Sequence, residues 1–518
     1  MKTWWWVVCG VGLAFPASLP AQRFEDRLAA LIAADSDSVD RRGLIDVYEP
    51  RGYRPLWIAD DVVRPGAERV LAALTQADMD GLDPRRYAWH PPAAGADSIA
   101  RVELGLTELL IRYVEDVSGG RVRPGPTDTI WSASSLPNML RDAGRALDSL
   151  PPDTVVRRLS PPQPGYVRLR SALARYRAIA VRGGWASLRD GPDLTPGTHG
   201  VRVRELRRRL ALESDTAPRD TAGDAYDQEL TAAVRRFQKN HGLDVDGVTG
   251  DATRAALNVP AADRVRQIEL NLERWRWLPR RLGNRYIMVN SAAFALALVD
   301  HDSVVLSMRA IVGRLDWPTP IVSSRLKQLI FSPAWEIPKK IVLAEIVPLV
   351  VADTGYLTRE HIIVHDWAKG GRPVNAHEID WRALTDSSYT LHLTQAPGET
   401  NPLGGVKFEF GNRFATYIHD TPFRALFRQR VRTFSHGCVR AERAAALARA
   451  VLADSLRWPL DSVRTAMRGD QPRVVTLDNS VPVYLTYWTA WVERDGEVQF
   501  REDLYGWDQM LARLVADK

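Results

Sequence analysis

The spacing of apolar residues changes near residue 285, and this change divides the chain into a helical part and a strand-rich part. Before it, apolar side chains recur three and four residues apart, as from Leu106 to Val114, which is the spacing of a helix with one buried face. After it, runs rich in β-branched residues, such as 285–290 and 304–312, are separated by short polar turns. A chain of 518 residues is also too long for one core. We therefore predict a multidomain α+β protein.

Proline-rich breaks and changes in composition indicate where the parts begin and end. The predicted parts are a signal peptide (1–21), a helical scaffold domain (23–190), a small three-helix module (196–259), a mainly-β domain (265–470) with a mixed insertion at about 338–395, and a strand-rich C-terminal extension (471–518) that packs on the scaffold or on the β domain.

The first residues have the features of a secretory signal. Lys2 is followed by a short apolar core, and small residues near Ala21 offer a cleavage site. The core is shorter than the roughly 20 apolar residues of a membrane span. We expect export and cleavage after Ala21. The alternative is an uncleaved membrane anchor, which the tryptophans at 4–6 would favour, and only then would the protein contact a membrane.

The mild positive charge gives little information about partners. The formal charge is +6, but the basic residues are spread along the chain without an aromatic-basic motif, so we do not expect nucleic acid as a partner.

The small module has a glycine- and aspartate-rich loop between its last two helices, at 242–250. The loop has fewer acidic positions than an EF-hand and no closing glutamate, so calcium is a weak alternative. The stretch Val234 to Gln238, with Gly242-Leu243 and Asp246 to Gly250, resembles the peptidoglycan-binding domain of bacterial cell-wall enzymes.

One thiol is left if the signal is removed. The chain has two cysteines, of which Cys9 lies in the signal segment and Cys438 follows two histidines, His419 and His436. A thiol attacks a carbonyl carbon as the thiolate, which a neighbouring imidazole can generate. Gly437 permits an unusual backbone angle and close approach of a substrate. We also expect a helix at 442–452, whose N-terminus would lower the pKa of the thiol.

Simpler interpretations of these residues stay open at this point. A lone cysteine can be a small buried apolar residue, and single histidines can be structural. Zinc is a third alternative, but one cysteine and two histidines lack the paired spacing of a structural site.

Two stretches, His419 to Thr421 and Ser435 to Arg440, resemble the signature of bacterial L,D-transpeptidases. The similarity to the large multidomain branch of that family also covers Tyr53 to Trp57, Gly81 to Pro84, Ser118 to Val122, Glu269 to Pro279, Val312-Gly313, Thr319-Pro320, Pro333 to Pro338, Gln395 to Gly398, Asn401 to Gly404 and Lys407-Phe408. One departure is Leu391 to Thr394, where relatives tend to carry arginines, which affects the expected substrate preference.

The resemblance implies a helical scaffold, a peptidoglycan-binding module and a mainly-β catalytic domain whose insertion forms a lid. It implies Cys438 as nucleophile, His419 as proton acceptor and donor oriented by the Asp420 backbone carbonyl, and His436 with Gly437 at the oxyanion. The implied substrate-binding residues are Trp335, Asn401, Tyr417, Ser435 and Arg440.

The implied reaction transfers a tetrapeptide stem through a Cys438 thioester, releases D-alanine and forms a 3→3 peptidoglycan cross-link. No metal or other cofactor is expected. The partners would be peptidoglycan stem peptides and glycan, with carboxypeptidases or synthases supplying the donor stems, and the location would be the periplasm. The alternatives are an L,D-carboxypeptidase, an enzyme that attaches a wall protein through the same acyl-enzyme, or a catalytically silent wall-binding scaffold.

Overall fold

A computed structural model describes residues 24–34, 39–92, 97–123, 125, 128, 130–131, 139–213, 220–454 and 456–517. The predicted signal segment, with Cys9, lies outside the described residues. The chain folds into two units. The first contains residues 1–75, 84–115 and 138–157, and the second contains residues 76–83, 116–137 and 158–518.

The first unit is helical and is organised around one buried carboxylate. Its helices are α1 (Phe24–Ala34), α2 (Val39–Tyr48), α3 (Pro65–Leu74), most of α4 (Ser98–Gly119), α5 (Met139–Leu147) and α6 (Pro152–Leu159), with a short hairpin of β1 (Ile58–Ala59) and β2 (Val62–Val63). Glu103 accepts hydrogen bonds from the Trp57 and Ile58 amides at 2.9 and 3.0 Å and from the Tyr48 hydroxyl at 2.7 Å. A buried carboxylate is tolerated here because its oxygens are hydrogen-bonded.

The second unit begins with five helices: α7 (Pro164–Val181), α8 (Val201–Ala211), α9 (Gln228–Asn240), α10 (Asp251–Asn258) and α11 (Ala261–Arg276). Helices α8 to α10 form a small module with its own apolar core. Gln238 organises its loop, since its side-chain amide donates to Asp246 at 2.7 Å and to the Val248 carbonyl at 2.9 Å. Asp246 also accepts from the Val248 amide at 2.8 Å, so its carboxylate is used within the turn.

The strands of the second unit are β3 (Arg285–Asn290), β4 (Ala295–Asp300), β5 (Ser303–Gly313), β6 (Val322–Phe331), β7 (Trp335–Ile337), β8 (Ile362–Asp366), β9 (Arg372–Pro373), β10 (Leu391–Gln395), β11 (Val406–Phe410), β12 (Ile418–His419), β13 (Thr433–Ser435), β14 (Val439–Ala441), β15 (Arg473–Thr486), β16 (Ala490–Val492) and β17 (Val498–Phe500). Nine of them form a mixed sheet in the order β13-β5-β14-β12-β11-β6-β15-β3-β4. Strand β4 also pairs with β5, so the sheet closes on itself around an apolar core.

A second, four-stranded sheet forms the predicted insertion, which we call the lid (335–395). Its strand order is β7-β10-β8-β9. The lid also contains α12 (Lys339–Ile341), a π-helical turn (Val342–Ile346), α13 (Val347–Ala352) and α14 (Tyr356–Arg359), packed around a separate apolar core. The remaining helices are α15 (Ala444–Leu452), α16 (Leu460–Ala466) and α17 (Trp507–Ala516).

The multidomain α+β class is confirmed, but two local expectations need correction. Strand β15 lies between β6 and β3, so residue 471 does not separate the β domain from an extension. Cys438 is followed by strand β14, and α15 begins only at Ala444, so the thiol does not lie at a helix N-terminus. The backbone after Cys438 is extended because it pairs with β12 and β5.

The end of the chain supports the catalytic sheet. The Tyr505 hydroxyl donates to the Gly313 carbonyl at 2.6 Å, which fixes the loop after β5. Helix α17 follows and packs its Trp507 and Leu511 against Tyr487 and other apolar residues. Within the described part of the chain, no helix combines the length and the apolar character needed to cross a bilayer.

Candidate active site

The two residues with nucleophile and base chemistry lie on neighbouring parallel strands. In the pairing of β12 with β14, Ile418 is opposite Val439 and His419 is opposite Arg440. The Val439 amide donates to the Tyr417 carbonyl at 3.0 Å. Cys438 directly precedes β14 and Tyr417 directly precedes β12, so this register places Cys438 beside Tyr417, with His419 two residues further along the chain. All three residues line one cavity.

A tight turn presents the thiol. Gly437 has a φ of 104°, a conformation that favours glycine. The Ser435 hydroxyl donates to the Cys438 carbonyl at 2.5 Å and accepts from the Gly437 amide at 3.3 Å. Ser435 is buried, and both of these hydrogen bonds hold the turn in shape.

Burial dominates the titration of the thiol. Cys438 is half-buried, and loss of water around the sulfur raises its pKa above the ordinary value. Hydrogen bonds from Tyr417 and the charges of Lys407 and Arg440 oppose that rise without reversing it. The resting thiol therefore keeps its proton at neutral pH, in contrast to the activated thiolate that a helix N-terminus would favour.

Burial also determines the state of the imidazole. His419 is 3% exposed, and burial, with the charges of Arg440 and Lys407, lowers its pKa to about 3. The carbonyls of Asp420 and Leu403 favour a proton on the ring but do not offset burial. Nδ1 is buried and has no well-aligned hydrogen-bond partner in the described residues. At neutral pH the ring is therefore uncharged and free to accept a proton.

The Asp420 side chain holds the loop beside the imidazole. Its carboxylate accepts from the Gly405 amide at 2.9 Å and forms an ion pair with Arg424. Orientation of the His419 ring by the Asp420 backbone carbonyl stays a prediction; that carbonyl favours a proton on the ring.

A cavity of about 1370 Å³ opens over the thiol and extends beneath the lid. Of the residues predicted to bind substrate, Trp335, Tyr417, Ser435 and Arg440 line it together with His419, His436 and Cys438. The Tyr417 side chain interacts with both Cys438 and Trp335, which joins the lid to the thiol.

Asn401 is not brought to the cavity wall. It is fully buried, and its amide donates to the carbonyls of Pro333 and Ala396, each at 3.0 Å. Its side-chain oxygen accepts from the Leu403 amide at 2.9 Å. The geometry of Asn401 is that of a residue that fixes the loop between β10 and β11.

Three residues that line the cavity were not assigned to the site from the sequence. Lys407 lies opposite His419 in the pairing of β11 with β12, and its alternation with buried Val406 and Phe408 is the signal that could have identified it. Glu345 of the lid lies 2.6 Å from Nε2 of His436, and the Trp317 ring packs edge-on against the same imidazole. No local pattern marks these last two residues, because both contacts are long-range.

The arrangement has the components of acyl transfer through a thiol. Within the described ranges, no group of three or more His, Cys, Asp and Glu side chains is arranged to hold a metal ion. A neutral base beside a protonated thiol, in a cavity that a lid covers, is the arrangement expected for nucleophilic attack on a carbonyl.

Comparison with known families gives three matches along the chain. Residues 42–173 match the model described as "Scaffold domain", residues 199–257 match "Putative peptidoglycan binding domain", and residues 284–475 match "L,D-transpeptidase catalytic domain".

Individual relatives agree with these matches over part of their length. The chain is 30% identical over 245 residues to a "Putative L,D-transpeptidase" of Haemophilus influenzae, covering 47% of this chain and 48% of that one. It is 37% identical over 67 residues to an N-acetylmuramoyl-L-alanine amidase of Bacillus licheniformis, covering 13% of this chain and 19% of that one. The chain thus spans about half or less of the length of these curated relatives.

Among solved structures, an L,D-transpeptidase from Xylanimonas cellulosilytica is 18% identical, with a TM-score of 0.19, covering 57% of this chain and 98% of that one. The match to the catalytic family covers both His419 and Cys438. Residues 284–475 therefore match the L,D-transpeptidase catalytic domain family, and the same chain also matches a scaffold domain and a peptidoglycan binding domain.

Proposed function

We propose that the protein is a cysteine-dependent L,D-transpeptidase that forms 3→3 cross-links in peptidoglycan. The observation that carries this proposal is that Cys438 and a neutral, buried His419 line one cavity beneath the lid, where β12 pairs with β14. The match of this region to the L,D-transpeptidase catalytic domain supports the same reaction.

The first half-reaction acylates the thiol. As the Cys438 sulfur attacks the carbonyl carbon of the third residue of a donor tetrapeptide, His419 takes the thiol proton. The sulfur–carbon bond forms, the bond to D-alanine breaks, and His419 returns its proton to the departing amine. Backbone amides around Gly437 and Cys438, together with His436, are our candidates for stabilising the oxyanion.

The second half-reaction resolves the thioester. The side-chain amine of another stem attacks the thioester carbonyl, His419 accepts a proton from that amine, and the sulfur leaves as the thiol. Trp335, Tyr417, Ser435 and Arg440 would contact the stem in the cavity that they line. Attack by water would release a tripeptide instead, which is the L,D-carboxypeptidase alternative.

The partner and location follow from the domain composition. The peptidoglycan binding domain supports peptidoglycan as the partner. We infer that the mature chain begins after Ala21 and works in the periplasm, where stem peptides and glycan are available. Carboxypeptidases or synthases would supply the tetrapeptide donors.

The test is mass spectrometry of the products that residues 22–518 form from a purified disaccharide-tetrapeptide. We expect a cross-linked dimer that lacks one D-alanine. In the Cys438→Ala variant this product should fall by about 10⁴-fold or more, because the covalent route is lost. Circular dichroism of the variant controls for folding.

Each of the other product patterns would indicate a different function or mechanism. Cys438-dependent formation of tripeptide alone would replace the transpeptidase by a carboxypeptidase. Transfer to an added wall protein, but not to stems, would indicate protein attachment. A dimer that persists in Cys438→Ala would contradict the thioester, and no product from the intact protein would favour the silent scaffold.

A further inference from the structure

A carboxylate of the lid contacts the turn that carries the thiol. Oε1 of Glu345 lies 2.6 Å from Nε2 of His436, two residues before the thiol. Glu345 projects from the π-helical turn at Val342–Ile346. Such turns occur often at functional sites, since the extra residue changes the direction of the side chains around it.

The charge of Glu345 determines which atom carries the hydrogen. Partial burial raises the pKa of this carboxyl, but the hydrogen bonds and charges of His436 and Arg314 outweigh burial and leave the pKa below its ordinary value. Glu345 is therefore a carboxylate, which only accepts hydrogen bonds. It follows that Nε2 of His436 carries the hydrogen and donates it to the lid.

Three other residues surround this contact between Glu345 and His436. Arg314 lies 2.9 Å from Glu345, and the Trp317 ring packs edge-on against His436 with ring centres 5.0 Å apart. Lys340 of the lid places its ammonium 4.2 Å from the centre of the Trp317 ring. We call Lys340 and Glu345 of the lid, with Arg314, Trp317 and His436 of the catalytic domain, the latch.

Stabilisation of the fold does not account for the latch. The side chains of Arg314 and Glu345 are 35% and 34% exposed, and exposed ion pairs contribute little to folding. Its hydrogen bond and ring contacts instead converge on one imidazole beside the thiol. Lid residues Ile341, Glu345 and Leu349 line the same cavity as Cys438, so a lid held at His436 covers the sulfur.

We infer that Glu345 is a positioning residue that holds the lid closed over the acyl-enzyme by accepting the hydrogen of His436. The inference rests on the proposed function. A closed lid excludes water from the thioester, so that the carbonyl is transferred to an amine that enters the cavity rather than hydrolysed. Without Glu345 the same thioester would be opened more often by water, giving tripeptide and free thiol.

The first test compares the products of Glu345→Ala with those of the intact protein. We expect the ratio of tripeptide to cross-linked dimer to rise about tenfold, whereas D-alanine release in the first turnover changes less than about threefold. Glu345→Gln, which keeps an acceptor but loses the charge, should lie between the two. Asp353→Asn is the matched control, because it removes a lid carboxylate that pairs with Arg359 and not with His436.

The second test does not depend on transpeptidation. In residues 22–518 the only cysteine is Cys438, and its alkylation can be followed by protein mass. Opening of the lid in Glu345→Ala should accelerate labelling by a bulky polyethylene glycol maleimide about fivefold or more, with a smaller effect on iodoacetamide. Asp353→Asn should label like the intact protein.

The outcomes separate the two proposals. Faster bulky labelling in Glu345→Ala, with no cross-linking by the intact protein, would retain the latch and reject the proposed function. Unchanged labelling and an unchanged product ratio would reject the latch. A variant that only raises the KM for the acceptor amine would also reject it, since Glu345 would then bind the acceptor itself.

Discussion

Cys438 and His419 share one environment that acts on their pKa values in opposite directions. Burial raises the pKa of the thiol and lowers that of the imidazole, because water is removed from the charged form of each. Lys407 and Arg440 lower both values, but they leave the thiol protonated and the imidazole neutral. In the proposed reaction, proton transfer would therefore accompany attack on the substrate, instead of preceding it in a stored thiolate–imidazolium pair.

This electrostatic arrangement predicts the pH dependence of alkylation. The rate constant for reaction of Cys438 with iodoacetamide should keep rising above pH ~8.5, the ordinary thiol pKa, since the thiol in the cavity has a higher value. Mass spectrometry of residues 22–518 at a series of pH values measures the rate. A cysteine-containing peptide is the control, and a plateau below pH 7 would instead show a stored thiolate.

Substitution of Asn401 can show whether this residue binds substrate or stabilises the fold. Asn401→Ala leaves three buried backbone partners without their hydrogen bonds, and should lower the free energy of unfolding by about 2–4 kcal/mol. Chemical denaturation measures this loss. The exposed neighbour Thr400→Ala should change stability by less than about 0.5 kcal/mol. Unchanged stability of Asn401→Ala with a raised KM would favour contact with substrate.

Among the helices and strands, the sequence pattern predicts those elements that depend on the spacing of nearby apolar residues. The helical scaffold, the three-helix module and the strands after residue 285 follow from apolar periodicity. The helix expected from residue 442 begins at Ala444, because residues 439–441 extend to pair with β12 and β5. Helix α17 carries a recognisable stripe at Trp507, Met510 and Leu511, but it was included in a strand-rich extension.

The residues of the site were likewise predictable only where they lie in a recognisable motif. A single continuous motif indicated Cys438, His436 and Gly437, and similarity to a known family supplied the role of His419. Glu345 and Trp317 could not be found in this way, because a lid and a distant loop bring them to His436 only in the folded chain. Asn401 was identified because it lies in a motif of the family, but its burial depends on packing against residues outside that motif.

At the scale of the whole molecule, two buried histidines make stability sensitive to acid. Burial lowers the pKa of His241 and of His419 to about 3. His241 is stacked between Phe237 of the small module and Phe500 near the C-terminus. In the unfolded chain both rings titrate near pH 6.5. The unfolded state therefore binds up to two more protons as the pH falls from about 6.5 towards 3, and stability is lost over that interval.

Each histidine should contribute a slope of about 1.4 kcal/mol per pH unit below pH 6. Urea unfolding between pH 7 and 5 measures the slope before most carboxylates titrate. In His241→Gln, the slope of the free energy of unfolding against pH should be smaller by about the contribution of one histidine. A free energy of unfolding that stays constant from pH 7 to 5 would mean that both rings take up protons in the folded protein over the same pH range as in the unfolded chain.

The position of β15 in the catalytic sheet has a consequence for the timing of synthesis. This strand lies between β6 and β3, yet in the sequence it follows every other strand of the nine-stranded sheet. A chain that ends before Arg473, or is still emerging from the ribosome, cannot close the sheet on which β12 and β14 are placed. The sheet that carries the sulfur is thus complete only after β15 has been made, so translation products that stop before Arg473 carry Cys438 on an open sheet.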